Sequence, residues 1–313
     1  MKQNNTIRKG NIIEYLRAIS NFITNFIPES SGIYKKMALL GLKLTTKKRL
    51  SKRKRLRFDI PITDHCNLNC KYCCTFSPLA EKTFLNAQTI SLDLYKLSEI
   101  TKGETDDIVL GGGEPLLHPE LIEIMEAVRK YFPNGEIIIL TNGILLNKQS
   151  NEFWNACRKN RINIRITHYP IKLDFESLQN KAKSVAVSLE YWGGSGGNMP
   201  IKSMWKRPLD LNGTQGLQHS WKYCNEANNC VRLKNGKIYP CATIYSVGHF
   251  NKYFDINMEV SQGDVLELDS VRNLDEILTF LSTPKSFCRY CKRKDITIGL
   301  KWEISKKEIS EWI

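Results

Sequence analysis

The sequence predicts an α/β protein built on a parallel sheet. From residue 57 onward, short apolar runs alternate with amphipathic segments of about ten to fifteen residues, the pattern of βαβ units. Two of the apolar runs end in glycine-bearing turns, Gly112-Gly113-Glu114-Pro115 and Thr141-Asn142-Gly143. The 313 residues, 42% hydrophobic and 25% charged, are ample for a buried core. Right-handed crossovers curl such a sheet toward a barrel and leave the chemistry to loops after the strand C-termini.

Before that unit, residues 10–27 carry Ile12, Ile13, Leu16, Ile19, Ile23, Phe26 and Ile27 at helical spacing, ending before Pro28. Residues 33–44 suggest a second helix. Residues 47–57 follow with eight basic residues in eleven. An amphipathic helix beside a polybasic run suits peripheral membrane contact, and the run suits phosphate backbones. The favoured expectation is a basic helical extension with a solvated face, since few aromatics are interleaved for base stacking.

Strands are then expected at 57–63, 107–112, 136–140, 162–167 and 185–191. Helices are expected at 91–101, 121–131, 148–160 and 175–183. The helix at 121–131 shows an apolar stripe of Leu121, Ile124, Met125 and Val128. Residues 193–220 lack periodicity, and the glycine run at 193–197 reads equally as a linker or a phosphate-binding nest. Val231 to Leu233 and Lys237 to Tyr239, joined by Asn235-Gly236, read as a hairpin. Residues 304–313 are expected to form a short terminal helix.

The formal net charge of +14 favours anionic partners. Glu14 and Arg17 interrupt the first apolar run, which argues against a signal peptide, and no uncharged stretch approaches a membrane span. Ten cysteines (66, 70, 73, 74, 157, 224, 230, 241, 288 and 291) fall mainly in two groups. Clustering of this kind reads as metal binding in a reduced, cytoplasmic protein.

Cys66, Cys70 and Cys73 stand close enough for one loop to turn three sulfurs onto a soft metal centre. Cubes usually take four thiolates, so three suggest a cube with one iron open to another ligand. Zinc is the alternative, with His65 as a fourth ligand; Cys74, next to Cys73, points away. The Cys-x3-Cys-x-aromatic-Cys loop, with Tyr72 as the aromatic, resembles that of the radical S-adenosylmethionine (radical SAM) superfamily. The resemblance implies a partial (β/α)6 barrel and a [4Fe-4S] cluster whose open iron chelates SAM. Reductive cleavage would then give a 5′-deoxyadenosyl radical that abstracts hydrogen from substrate. Gly112-Gly113-Glu114-Pro115 resembles the family's second motif, which implies that Glu114 meets the SAM amino group. Asn142 and Thr167, at the next two strand tips, are candidates for the SAM carboxylate or ribose, with turn chemistry as the simpler reading. His118 reads as a helix-terminus residue rather than an acid or base.

Cys224, Cys241 and the pair Cys288 and Cys291 around the hairpin suit a four-thiolate site, and spacing alone does not select the metal. They resemble the twitch domain, a shortened relative of the SPASM domain, which implies an auxiliary [4Fe-4S] cluster on these four residues. Cys230 could replace Cys224 as ligand or return a hydrogen atom to substrate. Cys74 and Cys157 read as incidental thiols.

The expected organisation is a basic extension (1–56), a radical SAM partial barrel (57–220) and an auxiliary-cluster domain (221–313). The resemblance implies a radical SAM oxidoreductase acting on an anionic, sugar- or nucleotide-sugar-like substrate, with flavodoxin or ferredoxin as electron donor. The alternatives are redox-neutral epimerisation, peptide modification, and a zinc-stabilised nucleic-acid-binding protein.

Overall fold

The computed structural model describes residues 56–191, 201–222, 224, 226, 227 and 231–313. The segments expected to form N-terminal helices, most of the basic run, the glycine run at 193–197 and Cys230 lie outside the described residues.

β1, Phe58–Thr63, is buried along its whole length, as a central parallel strand should be. Its one charged residue, Asp59, is held by Arg57 (3.0 Å) and Arg232 (3.5 Å), so no buried charge is left alone. α1, Ala87–Thr101, begins where the Asn86 side chain accepts from the Gln88 and Thr89 amides. β2, Asp107–Gly112, leads through the Glu114 turn to α2, Leu121–Tyr131, whose buried residues are Leu121, Ile124, Met125 and Val128. That is the stripe expected from its spacing.

β3, Glu136–Thr141, is followed by α3, Asn151–Lys159, capped by Ser150. The helix starts later than expected because residues 146–148 form a separate 3-10 turn. β4, Ile162–Ile166, leads to α4, Phe175–Ser184, capped by Asp174. β5, Ser188–Tyr191, is shorter than expected. Ala186 takes a left-handed conformation (φ 55°), and the Val187 amide donates back to Ala182 at 2.9 Å, so α4's end consumes the first residues of the run.

β6 is Met204–Lys206, α5 Leu217–Lys222, β7 Arg232–Lys234 and β8 Lys237–Tyr239. The expected hairpin forms β7 and β8, with Asn235 and Gly236 both at positive φ. α6, Ala242–Phe254, β9, Leu266–Glu267, α7, Leu274–Leu281, and β10, Thr297–Leu300, complete the described elements.

Among the described residues the main sheet runs β5-β4-β3-β2-β1-β7-β8-β9, parallel from β5 to β7, while β6 pairs antiparallel with β10. Helices α1 to α4 pack on it through one apolar core. A second core, including Phe76, Phe250, Phe287 and Trp312, joins the cysteine loop to the C-terminal region.

The terminal helix expected over 304–313 does not form. Residues 309–311 make a single 3-10 turn. The backbone before it is drawn into pairing with the cysteine loop, with Ser305 N donating to Asn69 O at 2.8 Å. Glu311 then turns its carboxylate inward to the Ser305 hydroxyl (2.7 Å) and the Lys306 amide (2.7 Å). These local bonds outcompete a helix with little apolar periodicity.

Candidate cluster and cofactor site

The tips of β1 to β4 lie along one edge of the sheet, where parallel strands present their loops. The loop after β1 carries Cys66, Cys70 and Cys73. It turns through left-handed residues at Asn69 (φ 48°) and Tyr72 (φ 62°), which cost energy in non-glycine residues and must be held from outside. The Thr63 hydroxyl donates to Thr83 O at 2.6 Å and accepts from His65 N at 3.1 Å. Residues 302–312 brace the far side. Lys71 N donates to Glu303 O (2.9 Å), and Trp312 Nε1 to Cys73 O (3.1 Å). Trp302 Nε1 lies 3.1 Å from the Cys70 sulfur.

Leu68, Cys70 and Met204 are buried here, with Tyr169, Leu300 and Trp302 packed around the triad. Burial pushes the Cys66 thiol up to about 12 and the Cys70 thiol up to about 11. Such thiols stay protonated unless a cation compensates their charge, as a metal centre does. The donors are three sulfurs of one short loop, a set that fits a soft iron–sulfur centre.

The two glycines of the β2 turn serve the chain's own backbone. A Cβ on Gly112 (φ 113°) would fall on the Thr63 carbonyl oxygen, and one on Gly113 on the His65 carbonyl. Gly113 N donates to Thr63 O (2.8 Å) and Glu114 N to His65 O (2.9 Å). The turn is thereby fastened under the cysteine loop.

Glu114 is buried, 1% exposed. Its carboxylate accepts from Thr141 Oγ1 (2.6 Å), Asn142 N (2.9 Å) and Leu116 N (3.1 Å). Burial still pushes it up to about 7. A carboxylate has room for about four such bonds, so one acceptor position remains. Pro115 opens the 3-10 turn that follows. The Asn142 amide reaches the cysteine loop directly, donating to Asn67 Oδ1 at 2.8 Å. Thr167, past the tip of β4, donates its amide to Thr141 O at 2.8 Å. Both His118 ring nitrogens are engaged by backbone, Leu85 O at 2.7 Å and Glu120 N at 3.1 Å.

The second thiol group gathers from separate elements. Cys224 follows α5 and accepts from Ala227 N (3.2 Å), Cys241 caps α6, and Cys288 and Cys291 lie in and just past the 3-10 turn Ser286–Tyr290. Burial raises the thiols of Cys241, Cys288 and Cys291, and nearby sulfurs of the set add to the rise. These four residues are therefore neighbours in space. No group of three or more His, Cys, Asp or Glu side chains among the described residues is set to hold a single metal ion. Cys157 is buried beside Met125 at 3.9 Å.

A polar cluster between the two thiol groups escaped sequence reasoning. Asp64 accepts from Lys234 (2.6 Å), His249 Nε2 (3.1 Å) and the Tyr245 hydroxyl. Burial alone would raise its carboxyl, but the His249 hydrogen bond and the Lys234 ammonium outweigh it and hold it below the ordinary range. The cluster fastens β7 and α6 to the start of the cysteine loop. Trp302, Tyr169, Thr141 and Asn67 were also missed. Only Thr141 had a usable signal, being the hydroxyl residue directly before Asn142.

A sequence model of the Radical SAM superfamily matches residues 60–189. The GTP 3',8-cyclase of Helicobacter pylori is 34% identical over 101 residues, 31% of this chain and 30% of that protein. The GTP 3',8-cyclase of Staphylococcus aureus (strain Mu3) is 22% identical over 267 residues, 79% of this chain and 71% of that protein. A solved structure of BtrN in complex with AdoMet and 2-DOIA aligns with TM-score 0.45 and 16% identity, covering 76% of this chain and 93% of that one. The chain spans only 30–33% of the length of the relatives similar to it at 32–34% identity. No helix among the described residues is long and apolar enough to cross a membrane. The cysteine triad after the first strand and the Gly112-Gly113-Glu114 turn fastened beneath it both lie within residues 60–189, the stretch that matches the Radical SAM superfamily model.

Proposed function

We propose that this chain is a radical SAM enzyme acting on an anionic small molecule, with a second iron–sulfur cluster on Cys224, Cys241, Cys288 and Cys291. The observation that carries the reading is the thiol triad, with Cys70 buried and Cys66 and Cys73 half-buried, on a loop fastened to the Gly112-Gly113-Glu114 turn through Thr63 and His65. Cys66, Cys70 and Cys73 would hold a [4Fe-4S] cluster with SAM on its open iron. Bound together, these supply reductive cleavage of SAM to a 5′-deoxyadenosyl radical, using an electron from a flavodoxin- or ferredoxin-like donor.

The chain's own residues bind and exclude water. Glu114 keeps an acceptor position near the cluster loop, and an ammonium group there would offset the burial that raises its pKa. Leu68, Met204, Leu300 and Trp302 shield the buried Cys70 and partly cover Cys66 and Cys73, which strengthens electrostatic contacts on the covered side. For the substrate, a net charge of +14 supports a phosphorylated molecule. A carbohydrate or nucleotide-sugar would be oxidised to a ketone, the second cluster accepting the electron and a base the proton. Epimerisation, with Cys230 returning the hydrogen atom, is the redox-neutral form of the same reading.

A second reading, cyclisation of a nucleoside triphosphate, is favoured by similarity to proteins named GTP 3',8-cyclase. Anaerobic reconstitution with SAM and reductant, scored by 5′-deoxyadenosine release, tests these against one another. Release dependent on a sugar phosphate or nucleotide-sugar supports the first, and release dependent on GTP supports the second. No 5′-deoxyadenosine with any substrate in iron-loaded protein overturns the radical SAM reading.

A further inference from the structure

We infer that Trp302 is a positioning residue for the SAM-site cluster, its indole N–H setting that cluster's reduction potential through the Cys70 sulfur. Trp302 lies far outside the matched domain, yet its Nε1 is 3.1 Å from Cys70 Sγ, within range of a sulfur-accepting hydrogen bond. The contact is built. Cys70 pairs with Ile304, Lys71 N donates to Glu303 O (2.9 Å) and Ser305 N to Asn69 O (2.8 Å). This short antiparallel register on both sides of the indole fixes where its N–H can point. Tyr169 packs on the indole at 6.2 Å between ring centres.

Cys70 itself is 8% exposed, so water cannot replace the indole as donor. A donor on a ligating sulfur withdraws electron density and favours the reduced, more negative cluster. The bond therefore makes the cluster easier to reduce. It places a residue of the C-terminal segment in control of the electron that begins the reaction.

The inference rests on the cluster reading above, and the two fail differently. Absence of iron and of a reduced-cluster EPR signal in anaerobically reconstituted wild-type protein defeats the cluster reading. The inference is tested by an EPR-monitored redox titration of the SAM-site cluster, with Cys288→Ala/Cys291→Ala as background to remove the second signal. Trp302→Phe keeps an aromatic ring and loses the N–H. At fixed potential its reduced-to-oxidised ratio should fall about tenfold, which is about 59 mV for a one-electron couple. Trp312→Phe is the control, because its Nε1 bonds the Cys73 carbonyl rather than a sulfur, and it should leave the potential in place. A second arm needs no variant at position 302. Uniform 5-fluorotryptophan makes the indole N–H a stronger donor with little change of shape and should move the potential the opposite way. An unmoved potential in iron-loaded Trp302→Phe, an equal shift in Trp312→Phe, or no response to fluorination overturns the inference.

Discussion

The two thiol groups of this chain are assembled in opposite ways. Cys66, Cys70 and Cys73 share one loop, and the fold's task is to hold that loop in a strained shape. It does so with Thr63, the Gly112-Gly113 turn and residues 302–312. Cys224, Cys241, Cys288 and Cys291 come from a loop, a helix cap and a 3-10 turn, and only the tertiary fold brings them together. A site on one loop can lose a brace and keep its sulfurs near one another. A site gathered from three elements has no such local memory, and a metal bound there would itself be a crosslink.

The largest expected effect sharpens that contrast at the triad. Cys70→Ala removes one of the three proposed ligands and should abolish 5′-deoxyadenosine formation, measured by chromatography after anaerobic reconstitution. Wild-type levels in this variant would break the assignment of the loop as the SAM site.

Next comes the gathered set. Two cubes amount to about eight irons per chain. Cys288→Ala/Cys291→Ala should lose about half of that iron while keeping the SAM-site EPR signal. It should also melt earlier than the wild type by calorimetry, because the crosslink is gone. Unchanged iron content would refute a second cluster on these residues.

Gly113→Ala tests whether the glycine turn serves the backbone. Its Cβ would meet the His65 carbonyl, which cannot swing aside as a side chain could. A loss of about 3 kcal/mol in denaturant unfolding is expected, with poor retention of triad iron. A neutral result would show that the turn and the cysteine loop are not packed as described.

The smallest effect concerns Glu114. Glu114→Gln should weaken SAM binding by about 1.5–3 kcal/mol, the scale of a charge-assisted hydrogen bond, and calorimetric titration of iron-loaded protein measures it. Burial raises this carboxyl from 4.5 to about 7, so folding takes up a proton between those values. Its contribution to ligand-free stability is full below about 4.5 and is lost as pH rises through about 7. Glu114→Gln should remove that part of the slope, and SAM should flatten it in the wild type.

Legibility followed locality. The β1 loop, the α2 stripe and the Asn235-Gly236 hairpin are each written in a dozen residues or fewer, and each appears where the sequence put it. The second thiol group was legible as spacing, because a CxxC pair and a hairpin are local even when their meeting is not. β6 was not legible, since three residues in an aperiodic stretch become a strand only when β10 arrives to pair with them. Trp302 was invisible for the same reason. Nothing in the residues around it names Cys70, and its meaning exists only in the register that Ser305 and Glu303 make with the cysteine loop. The failed terminal helix shows the converse, where Glu311 and Ser305 satisfy each other locally and no helical run can form.

The central position of β1 has a consequence in time. Asp64 and Lys234 are separated by 170 residues, and Cys70 and Trp302 by 232. The triad is therefore made early in synthesis and walled in late. Contacts this distant in sequence slow folding and leave the unfinished edge of β1 open meanwhile. On the proposed reading, iron would have its freest access in that interval. Loading of a finished apo-protein would then be slowed by residues 302–312, which would have to lift off the buried Cys70 first. Hydrogen exchange at the Lys71 and Ser305 amides should report that opening, and its rate should cap the rate of reconstitution.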